Sequence, residues 1–534
     1  MITALTYDVG TTGVKTCLFE IGEGITKIGS TTAGYPMQVL PGGGVEQDPA
    51  DWWDAICTTT RKLMEDFPDY RDRIDGISFC SQMQGLVLVD ETGTALRPAL
   101  SYMDQRAGDV MRRHGGKAPR VAGLNAGLLL KALYHTKAAP ASVKDPVWKY
   151  LWVKENEPEV YAKVHKWLDV KDSIIAYMTG VCAMSRDSAF ATLLYDIRSE
   201  TPRFSPAVLK ALGVNPAHMP TIVSATDTVG TLLPERAEDL GLLPGTPVIS
   251  GGGDSSLIAV GSGATGVGDT HIYIGTSGWV STVTDRATVD LSAMIAAVVG
   301  AAPGRFNYFA ELETAGKCLE WVKDHLALDE INLYLSQKNV ADDEFSTYAS
   351  LYDYLSEVIA TAEPGAGGVL FTPWLHGNRC PFEDPNARGS FHGISLTTGK
   401  TELLRAVVEG VCFHLRWFLE TSDKKVATSA RVRFSGGGAL SAVTAQILAD
   451  VTNKVIDVVD HPQDVGAVGA ALVVAAGRET ATNIADVAGL VPVVSTYRPN
   501  QANRAVYDSM FDVFVKLYPA NKRILAHLAA IRDA

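Results

Sequence analysis

Several signals are scarce in this chain, and each scarcity closes off a class of function. Cysteine comes to seven, at positions 17, 57, 80, 182, 318, 380 and 412. The number is odd, the spacing is wide and no C-x-x-C occurs, so neither a disulfide framework nor a zinc site is expected, and a reducing, cytoplasmic setting is. The eleven histidines include no H-E-x-x-H, which sets aside that type of metalloprotease. Positive charge is short too: the net charge is −13 and the pI about 5.4. Such a chain has no general attraction for nucleic acid or an anionic membrane, so any phosphate site must be local. The longest apolar stretches, such as 466–477, carry several glycines and are too short to span a bilayer. The N-terminus, MITALTYDVG, lacks a basic n-region and reads as a strand, so no secretory signal is expected. There is no G-x-x-x-x-G-K-S/T and no H-R-D set. The G-x-G-x-x-G at 261–266 follows a helical run rather than a strand, and is set aside as a dinucleotide site.

What is present belongs to a large globular protein. Hydrophobic residues make up 46% and charged residues 20%, with nine Trp, eighteen Tyr and sixteen Phe, which excludes an acidic disordered chain. At ~100–200 residues per domain, 534 residues allow two large domains or several small ones.

Residues 248–279 hold the densest chemistry. Gly251-Gly252-Gly253 leads into Asp254, and Gly275-Thr276-Ser277-Gly278 lies between two alternating runs. Consecutive glycines let backbone approach a ligand closely, and a carboxylate just behind them can face it. A Gly-Thr-Ser-Gly turn gathers N–H groups and hydroxyls, which suits phosphate oxygens. Taken singly, each motif reads equally well as a tight turn. A second copy carries the argument: Leu5–Val9 reads as a strand, Gly10-Thr11-Thr12-Gly13 as the turn, and Val14–Phe19 as the returning strand. Two strand–G-T-T/S-G–strand units, one per half, could grip a polyphosphate from both sides and suggest phosphoryl transfer to a hydroxyl.

Along the chain, Asp48 is placed as N-cap of a helix with Pro49 at its first position, and Trp52, Ile56, Leu63 and Phe67 as its core face. Ile74–Cys80 reads as a buried strand leading to Gln82-Met83-Gln84-Gly85, where polar groups at a strand end could meet a ligand. Asp104 and Arg106 either pair with each other or face a sugar hydroxyl. Residues 115–146 read as a long loop with one short helix, Lys149–Thr179 as helical, and Ala310–Leu326 as a helix. Arg431–Phe434 reads as a strand running through Gly436-Gly437-Gly438 straight into a helix from Leu440. Such a strand, triplet and helix N-terminus can seat a purine or ribose, or be a simple tight turn. The domain boundary is placed near 246, giving an N-terminal domain at 1–246 and a C-terminal one at 247–534 with a helical tail.

These residues resemble the FGGY family of carbohydrate kinases nearly end to end. The resemblance rests on Asp8-Val-Gly-Thr-Thr-Gly-Val-Lys15, Glu46-Gln-Asp-Pro49, Gln82-Met83-x-Gly85, Asp104-x-Arg106, Lys149-Tyr-Leu-Trp152, Gly251-Gly-Gly-Asp254, Gly275-Thr-Ser-Gly278, Glu409-Gly410, Gly436-Gly-Gly-Ala439 and Gly466-Ala-x-Gly469. It implies an α/β fold of two actin-like (RNase H-like) domains around a cleft, with ATP and Mg2+ chiefly on the second domain and the sugar on the first. Asp254 would be the general base and Asp8 would help hold Mg2+. Thr11, Thr12 and Lys15 would face the transferring phosphate. Gly275 and Thr276 would hold the ATP phosphates with Gly316 nearby, and Gly438 and Ala442 would lie against adenosine. Met83, Gln84, Asp104, Arg106 and Ser255 match positions near the sugar. The acceptor implied is a small sugar, foremost a ketopentose such as D-xylulose, with another ketopentose, a polyol or a modified sugar as the alternative. Family members acting on xylulose typically carry His where this chain has Gln84, and commonly Asn where it has Ser255. Neither nucleic acid nor membrane is expected as a partner, and a homodimer is compatible with this reading. A non-catalytic, ATP-gated sugar sensor on the same fold is the competing class; the joint presence of Asp8, Lys15 and Asp254 counts against it, because a pure binder needs no base.

Overall fold

A computed structural model describes residues 1–121, 123–326, 351–478 and 483–532. They divide into two compact units: Met1–Thr265, Val298–Asn307 and Val465–Val491 form unit 1, and Gly266–Ala297, Tyr308–Asp464 and Pro492–Ala534 form unit 2. Unit 1 therefore runs past the boundary read near 246 and takes back two later stretches of chain.

Unit 1 is built on a mixed sheet. Strands β1 (Ile2–Val9), β2 (Gly13–Ile21) and β3 (Ile25–Gly34) form an antiparallel meander. On its other side β1 pairs in parallel with Gly76–Ser81, which pairs in parallel with Pro247–Ile249, and Thr228–Thr231 closes the edge. All six residues of Gly76–Ser81 are buried, as a strand covered on both faces requires. Helix α1 (Pro49–Asp66) covers the meander: the Asp48 side chain accepts from the Ala50 N–H at 3.0 Å, Pro49 opens the helix, and Trp52, Ile56 and Leu63 form its buried stripe. The small-residue helix Val465–Arg478 packs on the sheet and against the helix Asp254–Gly261. Only glycine fits at that crossing, since a Cβ on Gly261 would lie 1.8 Å from the Val465 carbonyl oxygen. A second apolar cluster, with Trp148, Tyr150, Trp167, Leu194 and Val208, underlies the remaining helices of the unit.

Unit 2 repeats the design. Thr270–Ile274 pairs antiparallel with Gly278–Thr284 across a tight turn, and in parallel with Arg431–Ser435, which pairs in parallel with Val455–Val459. Phe306–Leu312 neighbours Gly278–Thr284 on the other side. This is the order of β3, β2, β1, Gly76–Ser81 and Pro247–Ile249 over again, and the two Gly-Thr-rich turns occupy the same slot in their sheets. The helices Gly316–His325, Lys400–Ser422, Ala442–Thr452 and Arg504–Arg532 belong to this unit.

Three stretches differ from the sequence reading. Lys149–Thr179 is a helix Pro146–Asn156, a short turn of helix Pro158–Tyr161, a strand Lys166–Leu168 and a helix Val170–Thr179. Pro158 cannot continue the helix before it, and Lys166–Leu168 finds a partner strand in Val87–Val89. The helix expected from Ala310 begins only at Gly316, because Phe306–Leu312 completes the sheet. After Gly436 a short 3-10 turn, Gly437–Leu440, precedes the helix, which starts at Ala442 with Ser441 as its cap.

Candidate active site

In unit 1 three sequence-distant carboxylates bear on one buried thiol, Cys80. Asp8, near the end of β1, lies opposite Lys15 on β2 and Cys80 on its parallel neighbour. Asp254 opens the helix Asp254–Gly261, where free N–H groups converge and stabilise negative charge; the Ser255 N–H reaches its Oδ1 at 2.7 Å. Asp187 is buried beside it. Burial first, and then the charges of Asp8, Asp254 and Asp187, push the Cys80 thiol well above its ordinary value. Asp8 pairs with Cys80 on one side and Gly252-Gly253, just ahead of Asp254, pairs with Cys80 and Ser81 on the other, so the two carboxylates approach one buried thiol from neighbouring strands. Gly466 closes in from the helix above: a Cβ there would come within 2.7 Å of Asp8 Oδ2 and 2.9 Å of Cys80 Sγ.

Asp187 organises the loop ahead of Asp254. It accepts from the Gly253 N–H at 2.7 Å, from the Ser188 N–H at 3.0 Å, and from the hydroxyls of Ser185 and Ser256. A Cβ on Gly252 would sit 2.7 Å from its Oδ2. Ser255 donates through its hydroxyl to Met83 Sδ at 3.3 Å, and Asn307 Nδ2 donates to the Ser255 carbonyl at 2.9 Å.

The Gly10–Gly13 turn is braced from below. The Gly10 N–H donates to the Gly13 carbonyl at 2.9 Å, and the Tyr35 hydroxyl to both the Gly10 and Gly13 carbonyls, at 2.5 and 3.0 Å. Gln82 Nε2 donates to Gln47 Oε1, and Gln47 Nε2 to the Thr11 carbonyl, at 2.9 and 2.7 Å. That relay ties the 82–85 turn to the hairpin. Thr12 stays exposed and Thr11 half-buried. Asp104 and Arg106 meet each other: Arg106 Nε lies 2.9 Å from Asp104 Oδ2, which also accepts from the Val45 N–H at 2.7 Å. Asp104 is buried. The Arg106 guanidinium also reaches Glu46 Oε1 at 2.8 Å and lies over the Trp152 ring.

Unit 2 carries the counterpart turn. The Gly275 N–H donates to the Ser277 carbonyl at 2.9 Å, and Thr276 is exposed. The chain at 315–317 is laced to this turn, with the Gly316 N–H on the Gly275 carbonyl at 2.8 Å and the Lys317 N–H on the Thr276 carbonyl at 3.1 Å. Gly316 is obligatory there, because a Cβ would lie 2.1 Å from the Gly275 oxygen. The glycine triplet rests on the same strand end: a Cβ on Gly438 would meet the Ile274 side chain at 2.7 Å, whereas Gly437 faces open space and Ala442 is exposed. Gly275, Thr276, Gly316 and Gly438 therefore share one corner of unit 2. Asp187, Asp169, Tyr35 and Asn307 went unread in the sequence; each is a lone polar residue without a motif, and only tertiary contact reveals it.

This geometry has relatives. The N-terminal domain of the FGGY family of carbohydrate kinases matches residues 3–261, and its C-terminal domain matches residues 271–477. A gluconokinase of Bacillus subtilis (strain 168) is 27% identical over 522 residues, 96% of this chain and 95% of its own. A xylulose kinase of the same organism is 28% identical over 527 residues, 98% of each chain. Among solved structures, ligand-bound xylulose kinase from Lactobacillus acidophilus superposes with a TM-score of 0.83 at 24% identity, covering 99% of this chain and 100% of its own. Gluconate kinase from the same organism gives 0.81 at 24% identity, covering 97% and 98%. The fold is thus the α/β fold of two actin-like domains. The chain belongs to the FGGY family of carbohydrate kinases.

Proposed function

We propose that the protein is an ATP-dependent kinase that transfers the γ-phosphate to a hydroxyl of a small sugar, foremost D-xylulose to D-xylulose 5-phosphate. The observation that carries this reading is the strand register that sets Asp8 on one side of Cys80 and Gly252-Gly253, leading into Asp254, on the other, beside the Gly10–Gly13 hairpin. Asp254 takes the proton of the attacking hydroxyl as its oxygen bonds to the γ-phosphorus; the bond from that phosphorus to the bridging oxygen breaks, and ADP leaves. Thr11, Thr12 and Lys15 hold the transferring phosphoryl group. Gly275, Thr276 and the backbone at Gly316 receive the nucleotide phosphates, and the surface at Gly438 and Ala442 receives the adenosine. Such transfer needs alignment and charge neutralisation more than covalent help.

Among the described residues no group of three or more His, Cys, Asp or Glu is set to enclose a metal. One carboxylate beside a glycine-narrowed backbone suits Mg2+, which usually takes one or two carboxylates and completes its shell with water and phosphate oxygens. Asp8 would hold it, and when bound it supplies charge neutralisation on the phosphates.

Gluconokinase and xylulose kinase relatives are almost equally similar, and Gln84 and Ser255 alter hydrogen-bonding groups at the sugar end. A site built to bond particular hydroxyls discriminates strongly, so D-gluconate is the second acceptor to test. ADP release should be measured against D-xylulose, other ketopentoses, D-gluconate, ketohexoses, pentitols and glycerol. The highest kcat/KM on D-xylulose is expected. A higher value on another acceptor replaces the sugar, and ADP release with none of them removes the kinase reading.

A further inference from the structure

The turn that presents Gln84 is held in a conformation its sequence does not favour. Gln84 has φ of 64°, the left-handed region that costs a non-glycine residue roughly 1–2 kcal/mol. Two buried charged side chains from different helices grip its peptide groups. Asp169, the cap of the helix Val170–Thr179, accepts from the Gln84 N–H at 3.0 Å, from the Gly85 N–H at 2.9 Å and from the Val170 N–H at 2.9 Å. Lys149, on the helix Pro146–Asn156, donates through Nζ to the Gln84 carbonyl at 3.0 Å and to the Ser101 carbonyl at 2.7 Å. Ser101 opens the loop that carries Asp104 and Arg106, and its carbonyl also accepts from the Asp104 N–H at 3.0 Å. One ammonium thus ties together both segments assigned to the sugar.

We infer that Lys149 and Asp169 are positioning residues that set acceptor affinity and selectivity by clamping the Gln82–Gly85 turn, and that they act through the backbone of Gln84 without touching the sugar. This rests on the proposed kinase reading. Neither group is placed cheaply: burial pushes the Lys149 ammonium down to about 8 and the Asp169 carboxyl up to about 7. A neutral polar residue would cap a turn at lower desolvation cost. What the charged pair adds is grip on both faces of a strained peptide unit, which is the rigidity that hydroxyl discrimination needs.

The test uses the full-length enzyme and the best acceptor from the panel. Lys149→Met and Asp169→Asn should each raise the acceptor KM at least about tenfold and narrow the preference between that acceptor and its epimer, with ATP KM and kcat within about threefold. A loosened scaffold would instead lower kcat and ATP affinity together. Asp169→Glu keeps a carboxylate that can still accept from the Gln84 and Gly85 N–H groups, so its acceptor KM should lie at least about threefold closer to the wild-type value than that of Asp169→Asn. That pair of variants decides the matter even if Lys149→Met fails to fold. An unchanged acceptor KM in Asp169→Asn, a loss confined to kcat, or equal losses in Asp169→Asn and Asp169→Glu overturns the inference while leaving the kinase reading intact. A wild-type protein that turns over no acceptor overturns both.

Discussion

At Asp254 a short backbone step positions the carboxylate proposed as the base. The residue leaves a glycine-lined strand end and opens a helix, so its carboxylate lies at the helix N-terminus while Asp187 holds the preceding peptide by the Gly253 N–H. Asp254→Asn keeps shape and volume but cannot accept a proton. Its kcat should fall by about two orders of magnitude or more with an unaltered circular dichroism spectrum; near-full turnover would remove Asp254 as the base. Gly316 tests the other unit. An added methyl collides with the Gly275 carbonyl oxygen at 2.1 Å, so the Gly275–Gly278 turn must shift at a cost of about 1–3 kcal/mol. Gly316→Ala should raise the nucleotide KM at least about tenfold and leave the acceptor KM in place, which steady-state kinetics with each substrate varied will read. Asp254 stood out in the sequence because it follows a glycine triplet, whereas Gly316 was singled out only through the family resemblance. Asp187 was not legible, since its four donors come from 185, 188, 253 and 256, which only the folded chain assembles.

Among the elements, the strand Thr270–Ile274 and the helix Lys400–Ser422 each bury a neutral histidine. Trp279 Nε1 donates to His271 Nε2 at 3.1 Å, and Trp374 Nε1 donates to His414 Nδ1 at 3.2 Å, leaving His414 Nε2 to donate to the Cys380 carbonyl at 2.9 Å. Both acceptor nitrogens must be unprotonated. Burial pushes His271 down to about 3 and His414 down to about 4. Above about 6.5 each is neutral folded or unfolded and pH has no leverage. Below it the unfolded chain takes up protons that the folded one refuses, so stability falls as pH drops from about 6.5 towards 4, by about 1.4 kcal/mol per unit for each histidine. The melting temperature should drop between pH 7 and pH 5, and His271→Gln should drop less over the same interval. An equal drop would show that His271 takes up its proton as readily in the folded protein as in the unfolded one. The same scale explains the misread stretches. The stretch Lys149–Thr179 reads as helical, but Pro158 and a partner strand at Val87–Val89 interrupt it. Before Gly316, pairing within the sheet overrides local propensity.

The whole molecule is two copies of one sheet order, with the chain returning late to finish the first. The helix Val465–Arg478 belongs to unit 1, where Gly466 approaches Asp8 and Gly469 approaches Leu257. Ligands should therefore protect separate sets of amides. Hydrogen exchange with Mg-ADP alone should slow at 273–278, 315–317 and 436–442, and with the acceptor alone at 82–85 and 253–256. Nucleotide at about a hundred times its Kd should also stabilise the protein by about 2.7 kcal/mol. Protection of 82–85 by nucleotide alone would reassign the two halves.

The sequence by itself determined the two Gly-Thr-rich hairpins, the glycine approach to Asp254 and hence the kinase family, because these depend on residue type within a few positions of chain. Tertiary structure alone decided that Asp8 and the Gly252–Asp254 segment come up on either side of Cys80, that Asp187 holds the Gly253 N–H, and that Lys149 and Asp169 grip Gln84. Those contacts join positions tens to hundreds of residues apart, and burial and partner geometry, rather than local propensity, set them.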